Sequence, residues 1–64
     1  MVTLIFEFDG KIKTINISPM THNRFRLYAY KINTSLQKIA GTIYEKCGDI
    51  LEELIIHHLD EVDL

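Results

Sequence analysis

VTLIFEFDGKIKTINISP, residues 2–19, decides the fold. Val2, Leu4, Phe6 and Phe8 alternate with Thr3, Ile5 and Glu7, a period of two that predicts a strand. Asp9-Gly10 follows, and this pair favours a type I′ turn because both central positions need positive φ. Residues 11–17 alternate again. A two-residue turn pairs Phe8 with Lys11, Phe6 with Lys13, Leu4 with Ile15 and Val2 with Ile17, and directly paired residues share a face. One face of the hairpin therefore carries Val2, Leu4, Phe6, Phe8, Ile15 and Ile17, with Lys11 and Lys13 near the turn. Thr3, Ile5, Glu7, Ile12, Thr14 and Asn16 take the other.

Ser18-Pro19 then changes the period. A hydroxyl at the N-cap and a proline at the first helical position predict a helix over about residues 19–31. Its inner stripe is Phe25, Tyr28, Ala29 and Ile32, with His22 at the margin, and Asn33 is placed to end it in the left-handed conformation. Thr34 or Ser35 caps a second helix whose stripe is Leu36, Ile39, Ala40, Ile43 and Cys47. Gly48-Asp49 reads as a break, with a third helix over residues 50–60. The apolar stripe also continues in phase through Ile50, Leu51, Leu54, Ile55 and His58. A single long helix, costing about 1 kcal/mol for the glycine, therefore stays open. The expected class is α+β: an N-terminal β-hairpin followed by two or three α-helices. The chain divides into a hairpin (1–17), a helix pair (18–47) and an acidic amphipathic C-terminal helix (48–64), all in one domain.

A chain of 64 residues buries only about 60% of the surface its unfolded state exposes. Chains of this size rely on disulfides, a metal or a second copy. Cys47 is the single cysteine, so no intrachain disulfide exists. A lone cysteine on an apolar stripe is expected to be a buried thiol in a reducing compartment. Self-association into a homodimer is the remaining expectation. No signal peptide or membrane-length apolar run is read, which points to the cytoplasm, or to a host cytoplasm if the chain is viral.

The net charge of −2 conceals an asymmetry. Residues 1–44 hold six basic and two acidic residues, and residues 45–64 hold one basic and seven acidic. The two parts can form separate functional ends, or the acidic part can be a solvated helix face.

Residues 12–47 resemble the ribbon-helix-helix repressors of the Arc, MetJ and CopG type. Three features carry the resemblance. A short strand, Thr14-Ile15-Asn16-Ile17, runs into a Ser-Pro helix start. A helix of about three turns follows it. The tight turn Asn33-Thr34-Ser35 then opens a second helix with Ser35, Ile39 and Ile43 in register. The resemblance implies a homodimer whose paired strands enter the major groove of double-stranded DNA. Thr14, Asn16 and Ile12 would then meet base edges. Lys11 and Lys13, together with the backbone at Thr34 and Ser35, would meet phosphates. The function it implies is a transcriptional regulator of plasmid or viral style.

The competing expectation is a non-enzymatic protein-interaction module: an inhibitor, adaptor or antitoxin-like protein. It would present its sheet or the acidic C-terminal helix, through Glu52, Glu53, Asp60 and Glu61, to a protein partner. The fate of residues 1–9 discriminates between the two, because a strand that flanks the ribbon obstructs the groove.

No catalytic constellation is read. The carboxylate pairs have no concave, water-excluded setting in so small a chain. His57 and His58 sit about 100° apart on a helix and do not converge on one metal, so neither cofactor nor metal is expected. Tyr30, among Arg24, Arg26 and Lys31, is expected on a solvated face.

Overall fold

A computed structural model describes residues 1–62. The order is β1 (Val2–Phe8), β2 (Lys11–Ile17), α1 (Pro19–Lys31), α2 (Leu36–Cys47) and α3 (Glu52–Val62). The architecture is α+β: one antiparallel hairpin with α2 packed on β1, α3 on β2, and α1 packed on both of those helices.

The hairpin has the expected register, Val2↔Ile17 through Phe8↔Lys11. Asp9 (φ 53°) and Gly10 (φ 76°) supply the two positive dihedrals of the turn. Leu4, Phe6, Ile15 and Ile17 are buried, while Thr3, Ile5, Glu7, Ile12, Thr14 and Asn16 are exposed. Phe6 and Phe8 bracket the ring of Tyr44 on α2, with centroids at 6.4 and 4.8 Å. These offset aromatic contacts seat β1 on α2.

Local chemistry sets each helix boundary. Ser18 caps α1 by accepting from Thr21 N–H at 3.3 Å. The other end of α1 is a Schellman closure. Thr34 N–H donates to Ala29 O (3.0 Å), Asn33 N–H donates to Tyr30 O (3.1 Å), and Asn33 sits at φ 56°. Ile32, expected on the inner stripe, is 46% exposed. It is the C-cap, and its backbone (φ −95°, ψ 8°) leaves the helical path before the side chain can reach the core. Ser35 caps α2 through Lys38 N–H at 3.1 Å.

Gly48, left-handed at φ 75°, ends α2 and donates to Tyr44 O at 2.8 Å, so the C-terminal third forms two helices. The third begins at Glu52, two residues later than expected. Asp49 binds the adjacent Ile50 N–H (2.7 Å), and it is Leu51 O that receives the first helical bonds, from Leu54 and Ile55. Cys47 corrects another expectation. It is the last residue of α2, one turn past Ile43, where the chain turns away, and its thiol is exposed. Residues 63 and 64, at the end of the expected C-terminal helix, lie outside the described residues.

α3 closes the core. Ile55 and Leu59 are fully buried, against α1, α2 and β2. Each such side chain contributes about 1.5–3 kcal/mol. The accessible surface is 4453 Å², against roughly 4,250 Å² for a compact monomer of 7.5 kDa. No helix among the described residues is long and apolar enough to cross a membrane.

Candidate protein-interaction surface

The residues singled out in the sequence fall into three separate places. Ile12, Thr14 and Asn16 share the exposed outer face of the hairpin, where Asn16 Oδ1 accepts from the Thr3 hydroxyl at 2.7 Å. Lys11 and Lys13 belong to the opposite face. Lys13 Nζ lies 5.0 Å from the centre of the Tyr44 ring, a cation–π contact turned toward the helices. The structure therefore does not bring the two lysines together with Thr14 and Asn16. At the turn before α2, Thr34 N–H is engaged by Ala29 O, and the Ser35 hydroxyl is engaged by Lys38 N–H.

Three of the four acidic candidates are engaged by partners within the chain, though Asp60 and Glu61 stay exposed. Glu52 Oε2 accepts from Ser18 N–H (3.2 Å) and from the Ser18 hydroxyl (2.8 Å). Hydrogen bonds from Thr21 and Ser18 hold its carboxyl below the ordinary value. Asp60 pairs with Arg24 at 2.7 Å. Glu61 lies 2.7 Å from His57 Nε2 and 3.9 Å from Lys46 Nζ. Glu53 is exposed and has no such partner among the described residues. The basic and acidic parts of the chain thus meet at the α1–α3 seam, where Arg24 pairs with Asp60, while the Lys46–Glu61 pair lies within the acidic part.

A surface that sequence reasoning missed stands on α1. Thr21, Phe25 and Ala29 are its buried residues. About 180° away, at roughly 100° per residue, lie Met20, Asn23, Leu27 and Tyr30. Met20 is 83% exposed, Leu27 54% and Tyr30 86%. With Asn23, the spacing of three, four and three residues makes one ridge that is apolar except at Asn23. Arg24 and Lys31 border it on one side and Arg26 on the other, with Arg26 donating to Asn23 Oδ1 at 3.0 Å. The signal was present in the sequence as a second apolar series running beside the core series of the same helix. Ile5 and Ile12, both more than half exposed, form a smaller apolar spot on the outer sheet face.

Two shallow apolar hollows lie along the seams of α2, one with α3 and one with the end of α1. One, of about 230 Å³, has Ile43, Cys47, Leu54 and His57 in its wall. The other, of about 290 Å³, has Tyr28, Ile32 and Ile39. Among the described residues, no three His, Cys, Asp or Glu side chains converge as metal ligands. Comparison with protein-family models, with curated proteins and with solved structures finds no match to this chain.

Proposed function

We propose that this chain is a non-enzymatic protein-interaction module that docks its partner on the outer face of α1. The observation that carries the reading is the ridge of Met20, Leu27 and Tyr30, exposed on a helix whose opposite side already completes the core. Scattered apolar residues on a surface are ordinary, but Leu27 and Tyr30 adjoin on one face, with Met20 beyond Asn23, and exposed apolar groups gathered on one face and rimmed by polar ones favour an interaction site. Affinity capture with wild type and with a folded Leu27→Asp/Tyr30→Ser variant tests it. A partner identified with the wild type is expected to be lost with the variant. An unchanged set of partners rejects the α1 face.

A second reading keeps the ribbon-helix-helix resemblance: a homodimer that pairs through β2 and binds DNA. The order β2–α1–α2 with the caps Ser18 and Ser35 supports it, as do Thr14 and Asn16 on an outward face. The pairing of β1 weighs against it. β1 takes one edge of β2 along its whole length. A two-fold pairing through the other edge gives a four-stranded sheet roughly 14 Å wide before side chains. The major groove is about 12 Å wide. Retardation of duplex DNA at low salt, weakened by Asn16→Ala at one operator position only, would establish this second reading. Folded protein that retards no DNA removes it.

A further inference from the structure

We propose that the outer edge of β1 accepts one extended segment of a partner protein, apolar at alternate positions and with a basic residue opposite Glu7. This surface is separate from the α1 face and does not rest on it.

The phase of the hairpin leaves the edge open. A two-residue turn closes with the Lys11 N–H donating to the Phe8 carbonyl, so Phe8 and Lys11 form a hydrogen-bonded pair. Bonded and non-bonded pairs alternate along an antiparallel ladder. Phe6–Lys13, Leu4–Ile15 and Val2–Ile17 are therefore bonded, and the N–H and C=O groups of Thr3, Ile5 and Glu7 point away from β2. No backbone hydrogen bond from another element reaches them among the described residues. A strand in this state is a template for one more strand.

The two edges of the hairpin differ. Native sheets guard their edges with lysine, proline or a bulge. β2 has Lys11 and Lys13, whereas β1, VTLIFEF, has neither lysine nor proline and pairs without a bulge. The helix layer then selects what can add to β1. α2 rests on β1. A second copy paired at this edge would bring its own α2 on a strand about 4.8 Å away, while packed helix axes need about 8–10 Å. A lone extended segment has no helix layer to accommodate.

Side chains of an added strand alternate between the two faces. Those on the helix side continue the row of Val2, Leu4, Phe6 and Phe8, whose two end members are half-buried. A Cβ on Gly41 would come within 4.0 Å only of the Phe8 ring, so α2 leaves room beside this row. Apolar residues fit there. On the outer face Thr3, Ile5 and Glu7 are exposed. Glu7 has no ion-pair partner among the described residues. Opposite charges facing each other across strands are stabilising, which places Lys or Arg opposite Glu7.

The test uses labelled peptides that match the seven residues of β1 in antiparallel register. Valine alternates with threonine, and the residue opposite Glu7 is Lys or Glu. Fluorescence anisotropy with the full chain is expected to favour the Lys peptide by about threefold or more, and Glu7→Lys should reverse the order. N-methylation opposite Thr3, Ile5 and Glu7 should abolish binding, and N-methylation of the intervening residues should spare it. Hydrogen exchange should slow at the Thr3, Ile5 and Glu7 amides when the Lys peptide binds. Absence of binding, or indifference to the site of N-methylation, overturns the proposal. Protection at Ile12, Thr14 and Asn16 instead moves the added strand to β2 and also overturns it. Equal binding of the two peptides overturns the basic residue. Binding lost in a folded Leu27→Asp variant puts the peptide on α1. A dimer by light scattering that Ile5→Lys dissolves makes the occupant a second copy.

Discussion

Glu52 receives both the backbone N–H and the hydroxyl of Ser18, at 3.2 and 2.8 Å, so the cap of α1 is joined to the first residue of α3 across 34 positions of sequence. Ser18 has two tasks at once. Its oxygen accepts from Thr21 N–H at the start of α1, while its own N–H and hydroxyl proton hold the carboxylate. Glu52 also lies in the first turn of α3, where a negative charge complements the helix dipole. One carboxylate thereby fixes where the third helix meets the end of the hairpin.

This arrangement makes stability depend on pH in a stated direction. The folded Glu52 carboxyl is held below its ordinary value by hydrogen bonds from Thr21 and Ser18. Folding therefore favours its ionised form. The contribution is fully present above the carboxylate range of the unfolded chain and is lost as pH falls through the lower folded value. Glu52→Gln is expected to lower Tm at neutral pH, and the difference from wild type should shrink on acidification below about pH 4.5. Parallel melting curves across that window check it. A gap that stays constant into strong acid contradicts the assigned role.

The burial of α3 gives a second expectation. Ile55 and Leu59 are fully buried, so Ile55→Ala or Leu59→Ala should each cost about 2–5 kcal/mol. A domain of this length has only roughly 3–10 kcal/mol in total. Truncation after Lys46 removes both side chains, along with Ile50 and the Glu52 link, and should leave an unfolded or molten chain. Urea titration followed by far- and near-ultraviolet circular dichroism measures both cases. A truncated chain that melts cooperatively near wild type would show that α3 is an appendage.

The hairpin was legible in full because its signals are local. Alternation sets the faces, Asp9-Gly10 sets the turn, and the turn sets the register. Helix starts at Ser18 and Ser35, and the left-handed Asn33, were legible for the same reason. Positions at helix ends were not. Ile32 and Cys47 continue a stripe on paper, but each sits where the backbone departs from the helix, and phase extrapolated past a cap has no physical meaning. The destinations of Glu52, Asp60 and Glu61 were also hidden, because their partners Ser18, Arg24 and Lys46 adjoin them only through tertiary packing. The α1 ridge was visible as a spacing. The core-facing stripe of Phe25 and Ala29 was read correctly, but that Met20, Leu27 and Tyr30 stay uncovered depends on where α2 and α3 pack, which α1 alone does not carry.

The homodimer expected from the length of the chain is tested by how melting depends on concentration. Short chains that share a core between copies melt at temperatures that rise with concentration. Here the twelve buried core residues form one cluster and the surface has the area of a compact body of this mass, so a self-sufficient core is the alternative to a homodimer. If one copy is self-sufficient, the melting midpoint should stay constant within about 1 °C over a hundredfold range of concentration, small beside the several degrees per kcal/mol typical of this size. A midpoint that climbs by several degrees, with a dimer mass by light scattering, would instead favour pairing through β2 and the ribbon-helix-helix reading.

Phe25 and Leu27 stand two residues apart on α1 and should respond in opposite ways. Phe25 is fully buried, and Phe25→Ala should cost about 3–5 kcal/mol, enough to unfold much of the protein. Met20 and Tyr30 are more than four-fifths exposed, and Met20→Gln or Tyr30→Gln removes little that the folded chain has buried. Each should change stability by no more than about 0.5 kcal/mol. Leu27 is more enclosed, beside Arg24, Tyr28 and Lys31, and Leu27→Gln should cost less than about 1 kcal/mol. If the ridge is a docking surface, these three substitutions separate stability from binding: folding survives and partner affinity falls. Denaturant titration of the free protein measures the first quantity, and affinity capture of the partner measures the second. A loss of 2 kcal/mol or more from Met20→Gln or Tyr30→Gln would mean that the ridge supports the fold, and its exposure would then need an explanation other than a partner.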